Sequence, residues 1–346
     1  MSKKVDIKNL QIGGGNKIAI QSMCNIKTEK VQEVVSQILR LEQAGCDIIR
    51  VAIKDQQDAL AIKQIKDKIS IPLVADVHFD YRLAISAIEN GVDKVRINPG
   101  NIGSEDKVKL VADCIQAHKI AVRVGSNSGS VEKEFLTKYG KNEISLAESA
   151  LLRVRQLEKY GVENIVISAK TSSVPLTIKT YRYLAEKTDY PLHLGVTEAG
   201  TKEMGIVKSA IGIGSLLADG IGDTIRVSLT ADPIEEIYAA KKILRAVGID
   251  KNYAEIISCP TCGRTAYDMQ SLAELIYQKT ISVTKPIKIA VMGCVVNGPG
   301  EAADCDIGIA GGQGKCVIFK KGVVYKTLPE QDAIQEFLKE INEIAK

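Results

Sequence analysis

Between residues 17 and 230 the chain repeats one two-part texture eight times, and that count limits its possible folds more than any other feature. Short apolar, β-branched runs recur at 17–23, 47–53, 72–77, 94–98, 120–125, 164–168, 191–197 and 224–229. The intervals between them have helical period and the length of a crossover. Ser145 with Glu148 three positions on reads as a capping box, and Asp232-Pro233 as an N-cap followed by proline at N1. Gly45, Gly91 and Gly161 stand where helices should stop. Strand–helix units in unbroken succession specify a parallel sheet, and eight of them close it into a (β/α)8 TIM barrel. A doubly wound open sheet is the alternative arrangement of the same units.

A barrel gathers its chemistry at the C-terminal ends of its strands. Those ends carry Arg50, Asp76, His78, Arg96, Asn98, Arg123, Asn127, Lys170, Glu198, Arg226 and Ser228. Arg96 and Asn98 lie two apart, as do Arg226 and Ser228, so each pair shares one face of its strand. Arg50, Arg96, Arg123, Lys170 and Arg226 at one mouth repel one another unless an anion joins them. The blander reading, local pairing or outward orientation, has to hold separately on five strands. Guanidinium forks match phosphate oxygens, so the expected ligand carries phosphate. Glu198 among these cations is the candidate general acid or base.

After residue 247 the texture changes. The stretch 254–346 reads as strand, cysteine loop, helix, strand, a hairpin turning at Lys320-Lys321-Gly322 and a last helix, a small α+β domain. The expected domains are 1–250 and 251–346. Cys259-Pro260-Thr261-Cys262 brings two thiolates within reach of one metal centre. Cys294-Val295-Val296-Asn297-Gly298-Pro299-Gly300-Glu301 adds a third thiolate, then tight turns that return Glu301 toward it. Three sulfurs and a carboxylate suit an iron–sulfur cluster with one exchangeable iron; zinc with Cys305 as fourth ligand competes.

Composition narrows the partners. A net charge of +4 over 346 residues, with 4% aromatics and no Trp, gives neither a basic patch nor stacking platforms for nucleic acid. No apolar stretch follows Met1-Ser2-Lys3-Lys4-Val5-Asp6, so neither export nor membrane association is expected. Eight cysteines then point to a reducing cytoplasm, where thiols serve metals or packing. Cys46, Cys114 and His193 read as core, and His118 as a helix end. Gly13-Gly14-Gly15 precedes a strand and makes no nucleotide fingerprint. Gly311-Gly312-Gln313-Gly314 reads as a hairpin turn. The polar stretch 128–143 is long for a connection and is expected to act as a lid.

Several stretches resemble the bacterial 4-hydroxy-3-methylbut-2-enyl diphosphate synthases, iron–sulfur enzymes of the non-mevalonate isoprenoid pathway. They are Gln21-Ser22-Met23, Ala75-Asp76-Val77-His78-Phe79, Arg96-Ile97-Asn98-Pro99-Gly100-Asn101-Ile102-Gly103, Val196-Thr197-Glu198-Ala199-Gly200 and Gly220-Ile221-Gly222-Asp223-Thr224-Ile225-Arg226-Val227-Ser228-Leu229, with both cysteine motifs. The resemblance implies a barrel joined to a domain like a sulfite/nitrite reductase half. It implies a [4Fe-4S] cluster on Cys259, Cys262, Cys294 and Glu301. The implied reaction is reductive ring opening of 2-C-methyl-D-erythritol 2,4-cyclodiphosphate, with flavodoxin or ferredoxin as electron donor. Cys24 after Gln-Ser-Met and Thr171-Ser172-Ser173 after Lys170 depart from the family pattern.

Topology adds an expectation about assembly. A helix from Pro233 runs about 22 Å back from the mouth at 1.5 Å per residue. The following linker, residues 248–258, spans at most about 36 Å when fully extended. A bare, stretched return is improbable in a compact protein, so a head-to-tail homodimer with sites shared between subunits is expected, as in the family.

Overall fold

The computed structural model describes every residue except Ser128, Val296, Asn297, Gln313 and Lys346. The chain divides into two compact units, Met1–Val247 and Gly248–Lys346.

The first unit opens with an antiparallel pair, β1 (Val5–Ile7) and β2 (Leu10–Ile12). Eight parallel strands follow: β3 (Ala19–Met23), β4 (Ile48–Ile53), β5 (Leu73–Val77), β6 (Lys94–Arg96), β7 (Ala121–Asn127), β8 (Ile165–Lys170), β9 (His193–Leu194) and β10 (Thr224–Ile225). Their order runs β8-β7-β6-β5-β4-β3-β10-β9, and a parallel bridge between Ile167 and Leu192 joins the two ends. The ring is therefore a barrel, and the open-sheet alternative falls.

Strands β9 and β10 are shorter than the apolar runs suggested. At Gly195 a Cβ would lie 2.5 Å from Lys170 Nζ and 2.6 Å from the Arg226 carbonyl, so the chain passes there only as glycine.

The helices are α1 (Val31–Gln43), α2 (Gln56–Lys66), α3 (Tyr81–Glu89), α4 (Pro99–Ile102), α5 (Glu105–His118), α6 (Lys133–Tyr139), α7 (Glu143–Glu158), α8 (Val174–Lys187), α9 (Lys202–Ala218) and α10 (Pro233–Ala246). The crossover helices turn apolar stripes onto the barrel; in α1 the stripe is Val34, Val35, Ile38 and Leu41. Asp232 caps α10 by accepting from the Ile234 N–H, with Pro233 beside it. One cap differs from expectation. The capping box of α7 is Asn142 with Ser145, one turn ahead of Ser145 with Glu148. Asn142 accepts from the backbone of both Ile144 and Ser145, and as a strong N-cap it starts the helix earlier.

The β1–β2 hairpin, unforeseen, plugs the N-terminal end of the barrel. Val5, Ile7 and Ile12 are buried against Ala19, Ile48, Val74, Ala121 and Val166, which sit near the starts of their strands. Within 128–143 the described residues include α6, so that connection has its own structure; Ser128 lies outside the described residues.

The second unit is a five-stranded mixed sheet in the order β11-β12-β13-β14-β15. Its elements are β11 (Ala254–Ser258), α11 (Met269–Thr280), β12 (Ile287–Met292), α12 (Gly298–Glu301), β13 (Ile307–Gly311), β14 (Lys315–Lys320), β15 (Val323–Pro329) and α13 (Glu330–Ala345). The first three strands are parallel and the last three antiparallel. Lys321 and Gly322 both have positive φ, 50° and 75°, the backbone a tight two-residue hairpin turn demands. Ala333, Phe337 and Ile341 of α13 close the core over Ile289, Ile307 and Ile318. The turn expected at 311–314 joins β13 to β14, with Gln313 outside the described residues.

Candidate active site

Every second residue of a barrel strand faces the interior, and the register puts charged residues side by side there. Asp76, Arg96 and Arg123 are direct neighbours across β5, β6 and β7. Asp76 is 4% exposed and serves as the hub. Arg96 Nη1 donates to it at 3.2 Å, Arg50 Nε stands at 3.7 Å and His78 Nε2 at 3.4 Å. Burial alone would raise the Asp76 carboxyl; Arg50, then His78, Arg96 and Arg123, reverse this and hold it well below the usual carboxylate range. Burial, with Arg226 and Arg96 nearby, pulls the Arg50 guanidinium down to about 10 despite Asp76. Arg50 also lies against Met23 Sδ at 2.8 Å.

The remaining cations have less compensation. Arg123 is 3% exposed, and its Nε and Nη1 find no partner among the described residues. Burial and the neighbouring guanidiniums hold Lys170 well below the ordinary lysine range. Asn98 is buried and caps α4 through the Gly100 N–H at 3.2 Å. Ser228 is half-buried, while Asn127, the last residue of β7, and Glu198, beyond the end of β9, are exposed. Glu198 has φ 51°, left-handed backbone that a non-glycine residue adopts at a cost of order 1–3 kcal/mol. Such strain persists where the surroundings impose it.

Two interior residues escaped the sequence reading. Glu236, on the first turn of α10, is 5% exposed; its Oε1 stands 3.5 Å from Arg226 Nη2 and accepts from the Leu229 N–H at 3.2 Å. Its Oε2 accepts from Ser22 Oγ at 2.9 Å. Nothing in the sequence marks a helix residue as a strand-end partner. Lys94, wholly buried, lies two residues before Arg96 on the same face of β6, and that period-two spacing is a signal that could have found it. His193 is core as expected, bonded to Thr224 Oγ1 at 2.7 Å. Cys46 is buried too, and Cys114 half-buried.

In the second unit the cysteines follow adjacent parallel strands. Cys259 comes directly after β11, and Cys294 two residues after β12. The Cys259 sulfur accepts from the Gly293 N–H at 3.2 Å, and the Ala266 N–H donates to the Gly293 carbonyl at 3.0 Å. The Cys262 N–H donates to Thr265 Oγ1 at 3.1 Å. Backbone and side-chain donors of Arg264 hold the exposed Cys262 thiol below its ordinary range, and Arg264 also feels Cys294 and Glu301. Glu301 is exposed at the end of α12; Val296 and Asn297 of the preceding turn lie outside the described residues.

Among the described residues, no group of three or more His, Cys, Asp or Glu side chains is drawn close enough to hold a metal. The loops are stitched to one sheet edge, with the thiols of Cys259, Cys262 and Cys294 uncommitted to any disulfide. Cys305 is wholly buried among Ala290, Met292, Ala302, Ala310 and Phe319, where burial pushes its thiol up. That environment suits packing better than ligation.

Comparison with known proteins covers nearly the whole chain. Residues 2–241 match the GcpE TIM-barrel domain and residues 255–343 the GcpE protein C-terminal domain. The chain is 57% identical to the 4-hydroxy-3-methylbut-2-en-1-yl diphosphate synthase (flavodoxin) of Caldanaerobacter subterraneus subsp. tengcongensis, covering 100% of this chain and 98% of that protein. It is 55% identical to the enzyme of the same name from Clostridium perfringens, over 99% of each. Among solved structures, Yersinia pestis dihydropteroate synthase superposes with a TM-score of 0.53 over 71% of this chain and 98% of its own, at 11% identity. That last likeness is one of barrel fold alone.

Proposed function

The chain belongs to the GcpE family, and on that premise we infer that it forms 4-hydroxy-3-methylbut-2-en-1-yl diphosphate with electrons from flavodoxin. It is an oxidoreductase of the non-mevalonate isoprenoid pathway and an iron–sulfur enzyme. The substrate in this reading is 2-C-methyl-D-erythritol 2,4-cyclodiphosphate, opened reductively with loss of water. The observation that carries the reading is the charge at the barrel mouth. Five basic side chains, Arg50, Arg96, Arg123, Lys170 and Arg226, gather there against two buried carboxylates, Asp76 and Glu236. Basic groups outnumber the acidic groups that meet them, which suits a ligand carrying phosphates.

The residues divide the work. Arg96, Arg123, Lys170 and Arg226 bind the phosphates, and Arg50 and Asp76 keep the forks apart and oriented. Asn98, Asn127, His78 and Ser228 supply hydrogen bonds. Glu236 positions Arg226. Glu198 exchanges a proton with the substrate hydroxyl that departs as water.

Cys259, Cys262, Cys294 and Glu301 would hold a [4Fe-4S] cluster. Supporting this, one sulfur already accepts a backbone N–H and another lies under an arginine, conditions that favour thiolate donors. When bound, such a cluster supplies electrons singly and an iron open to an oxygen ligand. Glu301, the hardest donor of the four, would be its most exchangeable ligand.

Three further elements complete the reading. Flavodoxin is preferred to ferredoxin as donor because the relatives' names state it. Among the described residues no helix is long and apolar enough to cross a membrane, and the enzyme works in the cytoplasm. It acts as a homodimer whose sites each combine one subunit's barrel with the other's cysteine domain. A mixture of Arg226→Ala and Cys262→Ser chains, each inactive alone, should then recover up to about half the activity per heterodimer. Heterodimers without recovery would refute the shared site. The reaction itself is tested anaerobically, with iron and sulfide analysis, reduced flavodoxin and the cyclic diphosphate. Absence of iron, or of the linear diphosphate product, overturns it.

A further inference from the structure

Beneath the phosphate-binding residues the barrel holds an amine that no substrate contact explains. Lys94 is 0% exposed, and its Nζ finds no hydrogen-bond partner among the described residues. It shares a rung with Val74 and Ala121, one interior step below the rung of Asp76, Arg96 and Arg123, and level with Arg50 through Val74. Methionine would fill the same volume without stranding a polar atom. A lysine kept there against that disadvantage needs an occasion on which its charge is wanted.

The groups facing it differ in whether they can change charge. Arg123 on β7 and Arg50 on β4 are the guanidiniums whose charge Lys94 feels, and Arg96 follows it by two residues on β6. Asp76 on β5 is already engaged by them. His193 on β9 is buried next to Lys94 and donates or accepts at Thr224 of β10; burial first, then Lys170, Arg123 and Lys94, holds it well below the ordinary histidine range. Lys170 on β8, Arg226 just past β10 and Glu236 on α10 stand higher, at the mouth, and Gln21 on β3 is neutral. Burial and the neighbouring guanidiniums hold Lys94 well below the ordinary lysine range.

The proposed reaction creates the occasion, and the inference rests on that reading. The cyclic diphosphate is a dianion. Two electrons from flavodoxin and one proton convert it to the linear diphosphate and water. The ring carbon–oxygen bond breaks with its electron pair left on phosphate, the adjacent hydroxyl departs as water, and a carbon–carbon double bond forms. The product is a trianion. The product therefore brings one negative charge more than the substrate into the barrel above Lys94. We propose that Lys94 is the proton reserve for ring opening: its amine is neutral beneath the bound substrate and takes one further proton from solvent as the linear diphosphate forms. The proton returns to solvent when the product leaves.

The test is calorimetric, on anaerobic holoenzyme at about pH 8, where both ligands are fully ionised and proton exchange reports on the protein. Substrate and product are titrated in two buffers of different ionisation heat. The product should take up about one proton more per site than the substrate. In Lys94→Met that difference should vanish, with product affinity falling about tenfold or more and substrate affinity changing less than about threefold. A difference that persists in Lys94→Met overturns the proposal. If Lys94→Met does not fold, the wild-type enzyme decides. Its product affinity should weaken as pH rises above neutrality while substrate affinity holds, and parallel pH profiles overturn the idea. Wild-type enzyme that turns over the cyclic diphosphate without the extra proton sinks Lys94 alone; enzyme that does not turn it over sinks the functional reading.

Discussion

Replacing Asp76 by asparagine keeps the shape of the hub and removes its charge, leaving Arg50, Arg96 and Arg123 without their shared counter-ion. Breaking a buried ion pair by deleting one partner costs about 3–5 kcal/mol. The Arg50 and Arg96 side chains retain 11% and 15% exposure, so water relieves part of the repulsion and the lower end, about 3 kcal/mol, applies. For a barrel of this size that lowers Tm by roughly 6–12 °C. The pH dependence has a definite sign. The carboxyl of Asp76 is held below its unfolded value, so its contribution is complete above about pH 4 and is lost only as pH falls through the lower folded value. The gap between wild type and Asp76→Asn, measured by calorimetry or circular dichroism of the unliganded protein, should therefore stay constant from pH 8 to pH 5. A Tm within about 2 °C of wild type refutes the hub. A gap that already fades between pH 7 and 5 refutes the assignment to Asp76.

Three further outcomes follow from the site. Arg123→Lys keeps a charge but loses the fork, and equilibrium binding of the cyclic diphosphate should weaken about tenfold or more; unchanged affinity removes Arg123 from the phosphate site. Glu198→Gln should lower kcat at least about a hundredfold while KM moves far less, since general acid–base catalysis contributes about that much or more; full turnover excludes Glu198 from the chemistry. Iron and sulfide analysis should find metal retained in Cys305→Ser, whose thiol is buried in an apolar cluster, and lost in Cys294→Ser. Loss from Cys305→Ser means the ligand set is wrong.

The barrel was legible because β-branched runs and capped crossovers repeat at a fixed rhythm that tertiary contacts only reinforce. Arg96 and Lys170 do end their strands, as their runs suggested, whereas Arg50 and Arg123 lie inside β4 and β7, deeper than the strand ends where they were expected, because those strands run on past them. What stayed hidden depends on partners far along the chain. The hairpin of Val5–Ile7 and Leu10–Ile12 has three-residue strands, too short to show a period, and acquires meaning only against the strand starts it covers. Glu236 enters the site from a helix, 214 residues away from the Ser22 it binds. The start of α7 was misjudged because Asn142-x-x-Ser145 and Ser145-x-x-Glu148 are overlapping signals, and the first in chain order took the cap. Cysteine spacing located a metal-binding candidate, but the identity of the metal came from the family motif.

The plug at the N-terminal end of the barrel also has a kinetic consequence. Val5, Ile7 and Ile12 stop that end with apolar side chains, so the charged interior is a blind well. A molecule that enters past the arginines must back out past the same arginines, and the departing trianion is held by them more strongly than the arriving dianion. Traffic through a single doorway makes product a competitor of substrate. In such a vessel the rate of emptying, rather than of filling, sets the pace of turnover once electrons are plentiful.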